Sequence, residues 1–167
     1  MANHANLGKS LETLIEHANK QYRAKGLALV QKVATPWQVI RKGKQIVSAF
    51  PEEKSTVDFI GVAGDKAIAF DAKQCHDKTR FPLSNIEPHQ MDFLGSWQEQ
   101  GGTAFFIIEM TVLKKIYRLE LADVHMYWLK SLNDGRKSIP VKDFERFLEV
   151  KQSGGIVLDY LNLMGRK

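Results

Sequence analysis

Apolar positions near the N-terminus recur at helical spacing: Leu11, Leu14, Ile15, Ala18 and Tyr22 form one stripe. This predicts a helix over residues 8–25, closed by Gly26. The run 27–34 reads as a strand. Residues 35–54 open on Thr35-Pro36, carry cations between short apolar runs and meet Pro51. They read as an extended hairpin standing off the body. Two further apolar runs, beginning at Thr56 and at Lys66, flank Gly64-Asp65, a two-residue hairpin signal. A helix is expected over 88–100, stopped by Gly101-Gly102. A buried strand follows over 103–110, an alternating partner over 115–121, and a short helix over 122–130. Helix, strands, helix, strands, helix is the order of an α/β fold, a mixed sheet flanked by helices. No repeat or low-complexity segment interrupts it, and 167 residues suit one domain.

Composition narrows the partners. The chain is 44% apolar and carries a net charge of +5. The basic balance favours an anionic partner, without separating nucleic acid from a membrane surface. Cys75 is the only cysteine, which excludes an internal disulfide and a cysteine-based zinc site. No apolar run approaches the ~20 residues needed to cross a bilayer. The first residues show no basic stretch leading into an apolar core. The expected setting is the cytoplasm, with no membrane partner. The five histidines lack metal-site spacing, and Gly61–Lys66 lacks the spacing of a phosphate-binding loop.

The chemistry concentrates around the Gly64-Asp65 turn. If the hairpin register runs unbroken, Ala63 faces Lys66, Asp58 faces Asp71 and Thr56 faces Lys73. Asp71 and Lys73 then share a face with Ala67 and Ala69. Two facing carboxylates repel one another, and a hard divalent cation such as Mg²⁺ would relieve them. A lysine two residues on could hold a water or neutralise charge growing on a phosphate. From spacing alone, a solvated strand face and a metal-assisted hydrolytic site are both open. Glu12 lies about 100° from the centre of the helix's apolar stripe, so it borders the buried face; an ordinary boundary glutamate is the alternative.

The wider neighbourhood is more specific. Asp58 followed by Asp71-Ala72-Lys73 resembles the PD-(D/E)xK nuclease core. Gly8-Lys9-Ser10-Leu11-Glu12, Thr35-Pro36-Trp37-Gln38-Val39, Ser55-Thr56-Val57-Asp58, Lys78-Thr79-Arg80-Phe81-Pro82-Leu83, His89-Gln90 and Gly135-Arg136-Lys137-Ser138-Ile139 follow in the order seen in RecU-type Holliday-junction resolvases. The resemblance covers nearly the whole chain. It implies a restriction-endonuclease-like fold and a homodimer. The implied activity is nicking of opposed strands of a four-way DNA junction with Mg²⁺ or Mn²⁺, in recombination and repair and in the company of other recombination proteins. By the same resemblance, Asp58, Asp71 and Glu12 would hold the metal and Lys73 would position the attacking water. Gln90 would join the catalytic set and Thr56 would support it. Residues 35–54 would form a stalk entering the junction, with Arg41, Lys42 and Lys44 on the DNA backbone. Asp71 departs from the glutamate of cellular members. Independently of the resemblance, Arg136 and Lys137 could clamp phosphate, or lie in a solvated loop. The rival functions are a nuclease for flaps or duplex, and a junction-binding protein without catalysis.

Overall fold

The computed structural model describes residues 10–51 and 56–162. Helix α1 (Leu11–Ala24) starts where the Ser10 hydroxyl accepts the N–H of Thr13 at 3.3 Å, a side-chain cap for an otherwise open donor. Its expected stripe is buried, with Asn19 added. The expected extension back to Gly8 lies outside the described residues. Then come β1 (Ala28–Lys32), β2 (Trp37–Lys42), β3 (Gln45–Pro51), β4 (Phe59–Ala63), β5 (Lys66–Cys75) and β6 (Arg80–Pro82). They are followed by α2 (Pro88–Glu99), β7 (Thr103–Met110), β8 (Lys115–Glu120), α3 (Leu121–Leu132), β9 (Ser138–Pro140) and β10 (Leu148–Glu149).

Six strands form the main sheet in the order β1-β4-β5-β7-β8-β10. Only β5 and β7 run parallel; the other pairs are antiparallel. A parallel neighbour cannot be reached by a tight turn, so the chain crosses over through α2, which lies on one face. Alternation divides β5 between two cores. Ile68 and Phe70 point toward α1 with Val30, Phe59 and Phe105, whereas Ala69 faces α2 and α3 with Phe106, Ile108 and Leu119. Phe70 stacks between Phe59 and Phe105 at 5.0 and 4.7 Å. The architecture is the mixed sheet between helices expected above.

Two glycines make the β1-β4-β5 corner possible. Gly64 holds φ at +61°, which a turn with glycine in its first central position requires. A Cβ on Gly61 would lie 2.3 Å from the carbonyl oxygen of Leu29, so only glycine lets β1 close on β4.

The hairpin expected over 35–54 is present as β2 and β3, which pair only with each other. Every residue of both strands is exposed. The register slips between Ile40 and Arg41, leaving Val47 as the extra residue of a bulge. The small β6–β9 sheet was not legible in the sequence. It ties the segment entering α2 to the loop after α3, and the N–H of Leu83 reinforces it by donating to the carbonyl of Lys137 at 3.1 Å.

Candidate active site

The turn at Gly64-Asp65 carries the expected register from Ala63↔Lys66 as far as Phe59↔Phe70, and no further. Strand β4 begins at Phe59, so Thr56, Val57 and Asp58 precede it. The expected cross-strand pairing of Asp58 with Asp71, and of Thr56 with Lys73, is therefore corrected. Asp58 instead bends back, and its Oδ2 accepts the backbone N–H of Ala72 at 2.9 Å. Its own carbonyl accepts the N–H of Val33 at 2.8 Å. The aspartate is held at the strand end by main chain on both sides, a firmer anchorage than a cross-strand contact. Thr56 is an exposed bend residue.

Asp71 sits mid-strand on the face toward α2 and is 0% exposed. Its two oxygens differ. Oδ2 accepts the Gln90 side-chain N–H at 2.8 Å. Oδ1 has the Lys73 ammonium 2.7 Å away, but outside hydrogen-bonding alignment, so it has no hydrogen-bond donor among the described residues. Burial pushes the Asp71 carboxyl up to about 6, and the charge of Asp58 pushes it the same way against the pull of Lys73. Burial also raises Asp58, opposed by the Ala72 N–H and by Lys73. A buried carboxylate oxygen without an aligned donor, beside a second carboxylate and with the one Lys73 ammonium between two acids, is a hard-oxygen environment with acceptor capacity to spare. Asp71 and Asp58 therefore fit a divalent cation.

Gln90 reaches Asp71 because of how α2 starts. Glu87 is the N-cap, Pro88 opens the helix, and Glu87 and Gln90 form a reciprocal capping box. Gln90 Oε1 accepts the Glu87 N–H at 3.0 Å, which turns its amide nitrogen toward Asp71. That the Gln90 side chain would both cap α2 and meet Asp71 was not legible in the sequence.

Glu12 does not join this pair. It is bonded to Lys32, with Glu16 also 3.9 Å from that ammonium, and its side chain is 46% exposed. The expected three-acid cluster is not drawn together in this structure: among the described residues no three acidic, histidine or cysteine side chains converge on one point. The reason lies in the strand register. Lys32 faces Phe59 and points to the α1 side of the sheet, where it meets Glu12, whereas Asp71 faces α2. The field of Glu12 still reaches Asp58 and raises it slightly further.

The basic candidates lie on two surfaces. Arg41 and Lys42 end β2, and Lys44 occupies the following turn; all three are exposed. Arg136 and Lys137 are exposed in the loop ahead of β9, with Arg136 Nε 3.3 Å from the hydroxyl of Ser138. The loop is fixed by Gly135, whose N–H donates to the Lys130 carbonyl at 3.0 Å, and by the β6–β9 pairing that leads to α2. No helix among the described residues is long and apolar enough to cross a membrane.

The family model described as "RecU: Recombination protein U" matches residues 6–166. The chain is 35% identical over 151 residues to Holliday junction resolvase RecU of Geobacillus sp. (strain WCH70), covering 87% of this chain and 75% of that one. It is 38% identical over 144 residues to the protein of the same name from Pediococcus pentosaceus, covering 83% and 72%. Among solved structures, Archaeoglobus fulgidus Hjc, a Holliday junction resolvase, aligns with a TM-score of 0.47 at 10% identity, covering 81% of this chain and 94% of that one. The matched span and these identities make the chain a member of the RecU family.

Proposed function

We propose that this chain resolves four-way DNA junctions as a metal-dependent endonuclease, nicking opposed strands in recombination and repair. The observation that carries the reading is Asp71, a fully buried carboxylate flanked by Asp58, Lys73 and Gln90, in a member of the RecU family. Asp71 Oδ1 and the carboxylate of Asp58 would hold the cation, Mg²⁺ or Mn²⁺. When bound it would offset charge on the scissile phosphate and acidify an attacking water.

The chain's own groups supply the rest. Gln90 fixes Asp71 through Oδ2 and leaves Oδ1 for the cation. The Lys73 ammonium, partly exposed and beside Asp71, meets the nucleophilic water and balances charge that grows on phosphate oxygen. Arg41, Lys42 and Lys44 grip the DNA backbone from the β2–β3 hairpin, which enters the open centre of the junction as a stalk. Arg136 and Lys137 hold a duplex arm near the start of α2. Thr56 supports the approach to Asp58. Glu12, paired with Lys32, tunes the field at Asp58 from outside the metal site. Two copies would act together, one per strand.

The test is cleavage of a synthetic mobile four-way junction with Mg²⁺, beside an EDTA control, a flap and matched linear duplex. Paired symmetrical nicks confined to the junction are expected. Equal cleavage of all substrates would move the function to a general nuclease. Tight junction binding without cleavage would make the chain a binding protein.

A further inference from the structure

Where β5 turns into β6 the chain carries two exposed cations, Lys78 and Arg80, that the metal site does not use. Asp77 organises this turn. Its Oδ1 accepts the hydroxyl and the N–H of Thr79, each at 2.7 Å, and its Oδ2 accepts the Nε–H of Arg80 at 3.3 Å. The Thr79 hydroxyl and N–H hold the Asp77 carboxyl down at about 2, so it stays ionised across the neutral range. Among the described residues no other group bonds the Arg80 guanidinium, whose side chain is 56% exposed. An exposed ion pair of this kind contributes little to stability; what it fixes is direction. With Nε held by Asp77, the two terminal nitrogens form an open fork that suits two oxygens of a phosphate.

The main chain beneath the fork is anchored on both sides. The Thr79 carbonyl accepts the N–H of Val141 at 2.9 Å, and the Arg80 carbonyl accepts the thiol of Cys75 at 3.4 Å. Cys75 lies on β5, four residues beyond Asp71 and on the same face. Arg80 is therefore tied about 13 Å along the strand from the buried acid, with Lys73 between them. On its other side, β6 pairs with β9, Arg80 opposite Pro140 and Pro82 opposite Ser138. Arg80 stands at one end of that ribbon and Arg136-Lys137 at the other. Segments 77–80 and 134–137 together set four Lys and Arg cations against Asp77 and Asp134, a surface with positive charge in excess.

We propose that Arg80 is a positioning residue of the junction reaction: its guanidinium clamps one backbone phosphate of the arm that enters the site, and so decides which phosphodiester lies at Asp71. Successive phosphates of one strand rise ~3.4 Å along a duplex, so a separation of about 13 Å sets the clamped phosphate about three or four nucleotides from the scissile one. Asp77 aims the clamp, and Lys78 adds charge beside it. The role in cleavage rests on the junction-nuclease reading; the phosphate contact is tested on binding alone.

The experiment pairs the residue with the phosphate. Four-way junctions of fixed branch point each carry one neutral methylphosphonate at a successive position, and binding by the full chain is measured in Ca²⁺. For the natural chain, one position about three or four nucleotides from the cut should weaken binding about tenfold, as loss of a charge-assisted contact does. In Arg80→Ala the same methylphosphonate should change affinity less than about twofold, with the other positions acting as before. Circular dichroism should be unchanged, because the side chain is exposed and the anchoring carbonyls remain.

Asp77→Asn separates aim from charge. The asparagine oxygen keeps the Thr79 contacts, its NH₂ opposes the Arg80 N–H, and the chain gains one positive charge. Affinity should hold or rise, while nicks in Mg²⁺ spread over neighbouring phosphodiesters. Arg80→Lys keeps the charge without the fork and should spread them likewise. A methylphosphonate that weakens Arg80→Ala as much as the natural chain at every position would overturn the proposal. So would Asp77→Asn and Arg80→Lys chains that nick only at the natural phosphodiester. Coupling in Ca²⁺ from a natural chain that cuts nothing in Mg²⁺ would count against the nuclease reading alone.

Discussion

Gln90 and Asp71 are joined by one hydrogen bond of 2.8 Å whose direction is fixed from the far side, because the other end of the Gln90 amide is occupied by the N–H of Glu87. Turning the amide over would set its oxygen against a carboxylate and its NH₂ against an N–H donor. A helix cap is thereby coupled to the orientation of a buried acid.

That coupling separates two roles of Gln90. Gln90→Glu keeps an acceptor for the Glu87 N–H, so α2 stays capped, but it places an oxygen against Asp71 Oδ2. The expected result is near-natural thermal stability at low pH, a loss of cleavage of 10²-fold or more, and weaker Mn²⁺ binding by calorimetry. Gln90→Leu removes both contacts and should cost about 1–2 kcal/mol of stability as well. Equal loss of stability in the two variants would show that Gln90 acts only as a cap.

The raised carboxyl of Asp71 has a signed consequence for stability. Its native value of about 6 lies above the ordinary 3.8, so between these values the folded state holds more protons than the unfolded one. Stability then falls as pH rises through the window and reaches its full loss above about 6. The shift corresponds to about 3 kcal/mol at most. The metal-free protein should therefore melt at a lower temperature at pH 8 than at pH 5, and Asp71→Asn should flatten most of that slope and raise the melting temperature at pH 8. Mn²⁺ should do the same for the natural chain above pH 6. A variant that melts in parallel with the natural chain across this window would refute the assignment.

Lys73 is the only cation beside Asp71 Oδ1 among the described residues. Lys73→Met retains the stem and removes the charge, leaving an ionised buried aspartate without compensation. Cleavage should fall at least 10³-fold while junction binding in Ca²⁺ stays within about threefold. The melting temperature should drop at pH 8 and recover toward pH 5, where Asp71 is protonated. A uniform loss at both pH values would instead mean that the lysine stem packs the site.

Much of this was written in local pattern. The stripe of α1, the Gly64-Asp65 turn and the strand 103–110 each follow from spacing, because adjacent residues decide them. The site needed more. Asp58 and Asp71 were legible as a pair, but the pairing mode was not: the hydrogen bond from Ala72 to Asp58 replaces a ladder that stops at Phe59. Glu12 is paired with Lys32, a residue with no motif of its own. Its role depends on β1 taking the sheet edge beside β4, a long-range choice that periodicity does not encode. The link from α2's cap to Asp71 is hidden for the same reason, since it joins residues across the crossover from β5 to α2.

The hairpin yields the last expectation. A two-stranded ribbon with all its residues exposed has little to hold it alone, so its worth lies in what it grips. Arg41, Lys42 and Lys44 stand at its closed end, beyond the bulge at Val47. If each meets one phosphate, changing all three to Gln should lower the salt dependence of junction binding by about 2–3 on a log–log plot. At about 150 mM salt, affinity for the junction should fall at least 10²-fold, with a much smaller change for linear duplex. Turnover of junction already bound, measured at saturating protein, should stay within about threefold, because Asp58, Asp71 and Lys73 are untouched. Equal weakening on junction and duplex would make the hairpin a general DNA grip rather than a reader of the open centre. An unchanged salt slope would remove it from the DNA interface and transfer the grip to Arg136 and Lys137.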